Sequence, residues 1–143
     1  LIGGGGRKLL SVAAREADII GLSPRARMDG TLDPTSLTAE ATARKLDWVR
    51  EAARDRLSDL EINVYVYAVE VTKDRRAAAE RLAPAFGLPA EEILGSPHAL
   101  IGPVELMAEQ LQGQRERYGI SYVVVGDDLI DALSPVIARV AGT

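Results

Sequence analysis

The chain has no cysteine, and only one histidine, one tryptophan and one phenylalanine among its 143 residues. The missing thiols exclude disulfides, thiol catalysis and cysteine-ligated zinc; a lone His98 leaves any metal to carboxylates, and no metal site is assigned. No apolar run approaches the roughly 18 residues of a membrane-spanning helix, and no secretory signal pattern is present. The expectation is a cytoplasmic protein with no membrane partner. A basic stripe is also lacking. Net charge is −4, and acids and bases interleave along 43–61 and 73–81, which argues against nucleic acid as a partner. What is present is 47 % hydrophobic residues, enough for one domain over 1–143 with a buried core.

Residues 1–12 place four consecutive glycines between an apolar Leu1-Ile2 and an apolar-periodic stretch. Without Cβ atoms, Gly3, Gly4, Gly5 and Gly6 can adopt positive φ and let a ligand press on their amides. The first N–H groups of the following helix, at its positive dipole end, point at the same place. The charges on that helix run against its dipole, Arg7 and Lys8 at the start and Glu16 and Asp18 at the end, which a bound anion would offset. A phosphate is the natural guest; the plainer alternative is a glycine-rich turn and nothing more.

The run fits neither common nucleotide motif. A phosphate-binding Walker loop needs Gly-Lys-[Ser/Thr], but Gly6 is followed by Arg7-Lys8-Leu9. The dinucleotide fingerprint, counted from Gly3 and Gly5, would need glycine at Lys8, and the next strand ends in Leu22-Ser23-Pro24 without the acidic residue that holds a ribose.

Hydrophobic patterning predicts strands at 1–2, 18–22, 62–71 and 120–125. It predicts helices over about 7–17, 39–57, 74–86 and 103–118, with a last one at 129–141 and a short helical turn at 89–94. Thr72 is expected to cap the third helix, with Gly87 and Gly119 as stops. The β-branched and aromatic run 62–71 reads as one strand covered on both faces. Residues 98–101 fit no single element. Strands alternating with helices mean an α/β architecture with parallel strands, either a small open sheet or half of a barrel.

His98, in Ser-Pro-His-Ala-Leu, has no acid or nucleophile beside it and reads as structural or surface. Asp127 and Asp128 follow the last strand, where a barrel keeps its chemistry. As neighbours they point apart, and helix capping is the expectation. Tyr65 and Tyr67, on one face of the long strand, read as core packing, with stacking on a ligand as the alternative. Trp48 is expected at the edge of a packed helix face.

Three stretches in this order carry a resemblance: Leu-Ile-Gly-Gly-Gly-Gly-Arg-Lys running on to Asp-Ile-Ile-Gly-Leu, then Ser-Pro-His-Ala-Leu-Ile-Gly-Pro, then Tyr-Gly-Ile-Ser-Tyr-Val-Val-Val. Over nearly its whole length the chain resembles the C-terminal half of bacterial luciferase-like enzymes, and within them the coenzyme F-420-dependent oxidoreductases. The resemblance implies strands 5 to 8 of a (β/α)8 TIM barrel. It implies cofactor-binding roles for Gly3, Gly4, Gly5, Gly6, Leu22 and Ser23, and more remotely Arg25, with 86–104 as an insertion. The implied cofactor is F-420, with FMN as the alternative, and the implied chemistry is oxidoreductase or monooxygenase. Catalytic residues are expected upstream of Leu1, since such a barrel runs to about 250 residues, so the chain alone is expected to be inactive. Its substrate is not implied. A non-catalytic half-barrel that binds a phosphorylated ligand or a protein is the remaining reading. Cutting a barrel would expose strand edges at Leu1-Ile2 and 120–125, so self-association is expected.

Overall fold

The computed structural model describes residues 1–141. Strand β1 (Ile2–Gly4) leads through the glycines into α1 (Arg7–Glu16) and back to β2 (Ile19–Leu22); after a long connection come α2 (Ala39–Ala53) and β3 (Glu61–Val66). Then follow β4 (Ala68–Val71), α3 (Arg75–Phe86), α4 (Ala90–Gly95), β5 (Ala99–Gly102), α5 (Val104–Tyr118), β6 (Ile120–Val125) and α6 (Ile130–Val140). The main sheet is wholly parallel in the order β1-β2-β3-β6, and β4 and β5 form a separate parallel pair. Parallel strands need crossovers, and α1, α2 and α5 supply them. Among the described residues, no helix is long and apolar enough to cross a membrane.

One face of the main sheet is sealed. Ile20, Leu22, Ile62 and Val64 pack with Leu10, Ala13 and Ala14 of α1 and with Leu46, Val49 and Ala53 of α2. Each large aliphatic side chain sealed here contributes about 1.5–3 kcal/mol. The opposite face carries Gly3, Gly21, Asn63 and Tyr122 side by side in register. Gly3 and Tyr122 are exposed there, whereas Gly21 and Asn63 are buried. A register shift between Ile62 and Asn63 loosens the pairing to β6, and the Asn63 amide bridges it by donating to the Tyr122 carbonyl at 3.2 Å.

The expected long strand 62–71 is two strands in two sheets. Alternation holds through Val64 and Val66, then fails, because Ala68 and Val69 are both buried. The chain turns at Tyr67, whose N–H leaves the main sheet to donate to the His98 carbonyl at 2.8 Å. An apolar β-branched run hides such a switch, since neither face is marked by polar residues. Residues 99–102, ambiguous by pattern, are β5, the partner that β4 turns to.

Helix ends were also shifted. The second helix stops at Ala53 because Arg54 takes φ 51, and a 3-10 segment follows, so Leu57 is exposed rather than core. Asp74, not Thr72, caps α3, accepting from the Ala77 N–H at 3.0 Å; Thr72 accepts from the Asp74 N–H one step earlier. Gly87 and Gly119 are the left-handed stops expected.

Candidate functional site

The glycine run lies at the C-terminal end of β1, and each glycine meets something different. A methyl placed on Gly4 would fall 2.7 Å from the Leu9 side chain. On Gly5 it would fall 2.6 Å from the Arg25 amide nitrogen and 2.7 Å from both Arg25 Cα and the Pro24 carbonyl carbon. Gly3 sits opposite Gly21 on the open face, and the space around Gly6 is empty. None of the four has positive φ. The expectation that they serve as left-handed positions is therefore replaced by close approach of chains. Gly6 is the N-cap of α1 with no side chain to cap it; the first amide to find a helical partner is that of Leu10, on the Gly6 carbonyl at 3.1 Å. The amides before it are the donors that an oxyanion would take.

The strand that follows brings the remaining expected residues to the same place. The Ser23 N–H donates to the Gly4 carbonyl at 3.1 Å, and the Ser23 hydroxyl oxygen lies 3.5 Å from where a Gly3 methyl would stand. Leu22 is buried in the core, so at this site it offers backbone only. Arg25 lies against Gly5 through its backbone, and the residue is exposed.

Two residues that the sequence did not point to hold this arrangement together. Ser36 accepts from the Arg25 N–H at 2.7 Å and donates to the Asp33 carbonyl. Lys45, 2 % exposed, donates from Nζ to the carbonyls of Ser23 and Ser36, each at 2.8 Å. The loop 23–36 is thus clamped onto α2 by one buried ammonium. The signal was there: Lys45 falls four residues before Val49, on the apolar face of the helix, where an unpaired lysine is costly.

Burial, with Arg25 and Arg44 close by, pushes the Lys45 ammonium down to about 8, against a weaker opposite pull from Asp33. A neutral amine still has two N–H groups for the two carbonyls, so the clamp survives deprotonation. The unfolded chain holds this proton up to its ordinary 10.5. Between the two values the unfolded state binds more protons, so stability rises with pH. We expect a gain of about 2 kcal/mol from pH 8 to 10 in urea unfolding, absent in Lys45→Met; parallel curves for the two proteins would refute it.

Part of the charge at the two ends of α1 is answered within the protein. Arg7 pairs with Glu51 at 2.9 Å, and Arg56 caps the far end by donating to the carbonyls of Ala14, Arg15 and Ala17. The reversed charge pattern is therefore weaker support for a bound anion than the sequence alone suggests. The case for an anion rests on the uncapped amides and on the cations around the loop.

Other expected residues take structural places. Tyr65 and Tyr67 are not core: they are 36 % and 37 % exposed, with ring centroids 4.8 Å apart at the mouth of the sheet. Burial raises the Tyr67 hydroxyl above its ordinary value, with Tyr65 adding to it. His98 is fully buried behind them, its ring 5.9 Å from that of Tyr67. Asp127 and Asp128 do not cap α6; the Asp127 carboxylate accepts the Asp128 N–H at 3.1 Å, ahead of a helix without a side-chain cap. Trp48 packs at the rim of the core, as expected.

Parallel strands alternating with helices, a glycine turn at one strand's C-terminal end and an open second sheet face are features of one architecture. The fold is α/β with parallel strands and alternating helices, consistent with part of a TIM barrel. No protein-family model and no curated protein sequence matches the chain. Solved structures do. The fold is similar to that of an F-420-dependent secondary alcohol dehydrogenase in complex with an F-420–acetone adduct, at 18 % identity and a TM-score of 0.57, covering 96 % of this chain and 47 % of that one. It is similar to a coenzyme F-420-dependent tetrahydromethanopterin reductase from Methanopyrus kandleri, at 15 % identity and 0.55, covering 94 % and 47 %. A riboflavin lyase with modified FMN and riboflavin matches at 11 % identity and 0.52, covering 96 % and 42 %. The chain spans less than half the length of each of these structures.

Proposed function

We propose that the chain is the C-terminal half of a (β/α)8 oxidoreductase and that its glycine loop holds the phosphate of F-420. The observation that carries this reading is the uncapped start of α1 beside Gly5 and Gly6, with the loop 23–36 locked against it. Gly6 has open space where a Cβ would stand, and Gly5 lets the Pro24-Arg25 backbone close in. Such a pocket fits a phosphate: amides without helical acceptors, and Arg25 at its edge. On this reading Gly3 to Gly6, Leu22 and Ser23 bind through backbone groups, with the Ser23 hydroxyl and the Arg25 guanidinium as side-chain donors. The residues 86–104, which comprise α4, β5 and their flanks, are the insertion.

When bound, the cofactor supplies hydride transfer at its ring; the protein's part here is to orient it by the phosphate. No residue of the chain is assigned to catalysis. The groups facing the ring would come from the other strands of the barrel, which fits the chain's short span relative to its structural neighbours. FMN is the second reading, favoured by the likeness to a structure that contains modified FMN, because both cofactors present a phosphate. Titration with each, followed by absorbance, separates them: F-420 is expected to bind, and tight FMN binding without F-420 binding would overturn the choice.

The same reading predicts self-association. Strands β1 and β6 are the two edges of the main sheet, each with unpaired backbone on one side. Sedimentation velocity of this chain should show concentration-dependent dimers or larger species. A monomer at high concentration would count against exposed barrel edges.

A further inference from the structure

Among the described residues, Arg54 is the one residue other than glycine with a positive φ. Its φ of 51 and ψ of −119 lie where a Cβ makes the backbone costly to hold. Elsewhere the chain meets the same need with glycine: α3 and α5 end on Gly87 and Gly119, at φ 65 and 71. At the end of α2 it carries an arginine and accepts the strain. No side-chain hydrogen bond or ion pair of Arg54 within the described residues offsets it.

Arg54 borders a cavity of about 600 Å³ in the groove between α1 and α2. Arg7, Ser11 and Arg15, one turn apart on α1, line one side, and Trp48, Glu51 and Ala52 of α2 the other; the 3-10 segment adds Arg54, Asp55 and Arg56. Four guanidiniums and two carboxylates thus share one space. Two of the guanidiniums are spent. Arg7 is held by both oxygens of Glu51, at 2.9 and 3.1 Å, and Arg56 donates to carbonyls at the end of α1 and lies 3.9 Å from Asp18. Arg15 and Arg54 pair with nothing among the described residues, and neither does Asp55; all three are exposed. Two cations and one acid therefore remain for a ligand, above a floor of half-buried Trp48 and Ala52.

We propose that Arg15 and Arg54 form an oxyanion site in this groove for a small anion with an apolar body. Its carboxylate or phosphate group takes the two guanidinium forks, and its apolar part lies on Trp48 and Ala52. The strain at Arg54 is what it costs to aim a second guanidinium at the groove. The site does not depend on the phosphate-loop reading, since none of Gly3 to Gly6 lines this cavity.

Trp48, the sole tryptophan, gives one indole N–H signal by which NMR can follow binding. Benzoate and phenyl phosphate, titrated separately at constant ionic strength, present the two oxyanions on the same ring; at least one should shift that signal saturably. Benzamide, neutral and of the same shape as benzoate, should bind at least about tenfold more weakly than the preferred anion. Arg15→Gln and Arg54→Gly should each weaken that anion by about tenfold. Arg54→Gly should at the same time raise the urea midpoint, because glycine relieves the strained turn. Trp48 also borders the smaller cavity beside Gly5, lined by Arg44, so Arg44→Gln serves as the control and should bind like wild type. No saturable shift with either anion, an equal response to benzamide, or unchanged affinity in Arg15→Gln and Arg54→Gly would overturn the site. A loss confined to Arg44→Gln would move the anion to the other cavity and overturn it as well. A lower midpoint for Arg54→Gly would show that arginine itself stabilises the turn, and the strain would no longer point to a ligand.

Discussion

Gly5→Ala should destabilise the protein by about 1–3 kcal/mol and weaken phosphate-cofactor binding by at least about tenfold. The added methyl would meet three backbone atoms of Pro24 and Arg25 at 2.6 to 2.7 Å, and backbone cannot step aside as a side-chain tip can. Its displacement would spread. The Arg25 N–H is held by Ser36, the Arg25 carbonyl accepts from the Asp33 N–H at 2.7 Å, and the Ser36 carbonyl is one of the two that Lys45 holds. Pushing residue 25 away therefore strains the whole loop. Gly4→Ala should cost less, because the methyl meets only the flexible Leu9 side chain. Gly6→Ala meets nothing within 4 Å, and its φ of −117 suits any residue; it should stay within about 1 kcal/mol of wild type. Urea unfolding of the three variants gives the order directly. Equal midpoints for Gly5→Ala and Gly6→Ala would mean that close approach at Gly5 does not fix the loop.

That contrast shows what was legible in the sequence and what was not. The glycine run was visible as a feature, and so was its place between a strand and a helix. The division of labour among the glycines was not, because it depends on which chain passes nearby, and the 24–25 backbone comes from across a crossover. The alternation of strands and helices could be read because each helix has its own apolar period and the stops Gly87 and Gly119 are local. The break at Tyr67 could not. Val66, Ala68 and Val69 are all buried, and only the partner strand, Ala99–Gly102, tells that the chain has changed sheets. Lys45 lay on the apolar face of its helix in plain view, yet its meaning needed the carbonyls of Ser23 and Ser36, 22 and 9 residues away. Local rules see elements; they do not see which loop an element will clamp.

Between pH 7 and pH 4 the protein should lose about 3 kcal/mol of stability through one side chain. His98 is fully buried, and its Nδ1 lies 2.8 Å from the Tyr65 carbonyl. A carbonyl can only accept, so Nδ1 carries the proton and Nε2 is left with the lone pair. Nε2 is sealed from solvent with no hydrogen-bond partner. Adding a proton there would bury a charge and a donor together, with nothing to receive either. Burial therefore pushes the imidazole from its ordinary 6.5 down to about 4; the Tyr65 carbonyl pulls the other way, and the Lys45 charge adds to the depression. As pH falls, the unfolded chain takes its proton first, near 6.5, while the folded one resists to about 4. The contribution is complete above the first value and is lost on the way down to the second. Because the chain has a single histidine, its ring-proton NMR signal should titrate alone, with a midpoint near 4 in the folded state. His98→Asn keeps a donor toward the Tyr65 carbonyl but cannot titrate. At pH 7 the variant should be less stable by about 1–3 kcal/mol, for the cavity and contacts it loses. Its disadvantage should shrink toward pH 4 and disappear, because only the wild type meets the cost of protonating a sealed imidazole. Carboxylates titrate alike in both proteins and cancel in the difference. Parallel stability curves for wild type and His98→Asn would show that the imidazole is hydrated in solution, and that the lone pair behind Tyr67 is not sealed.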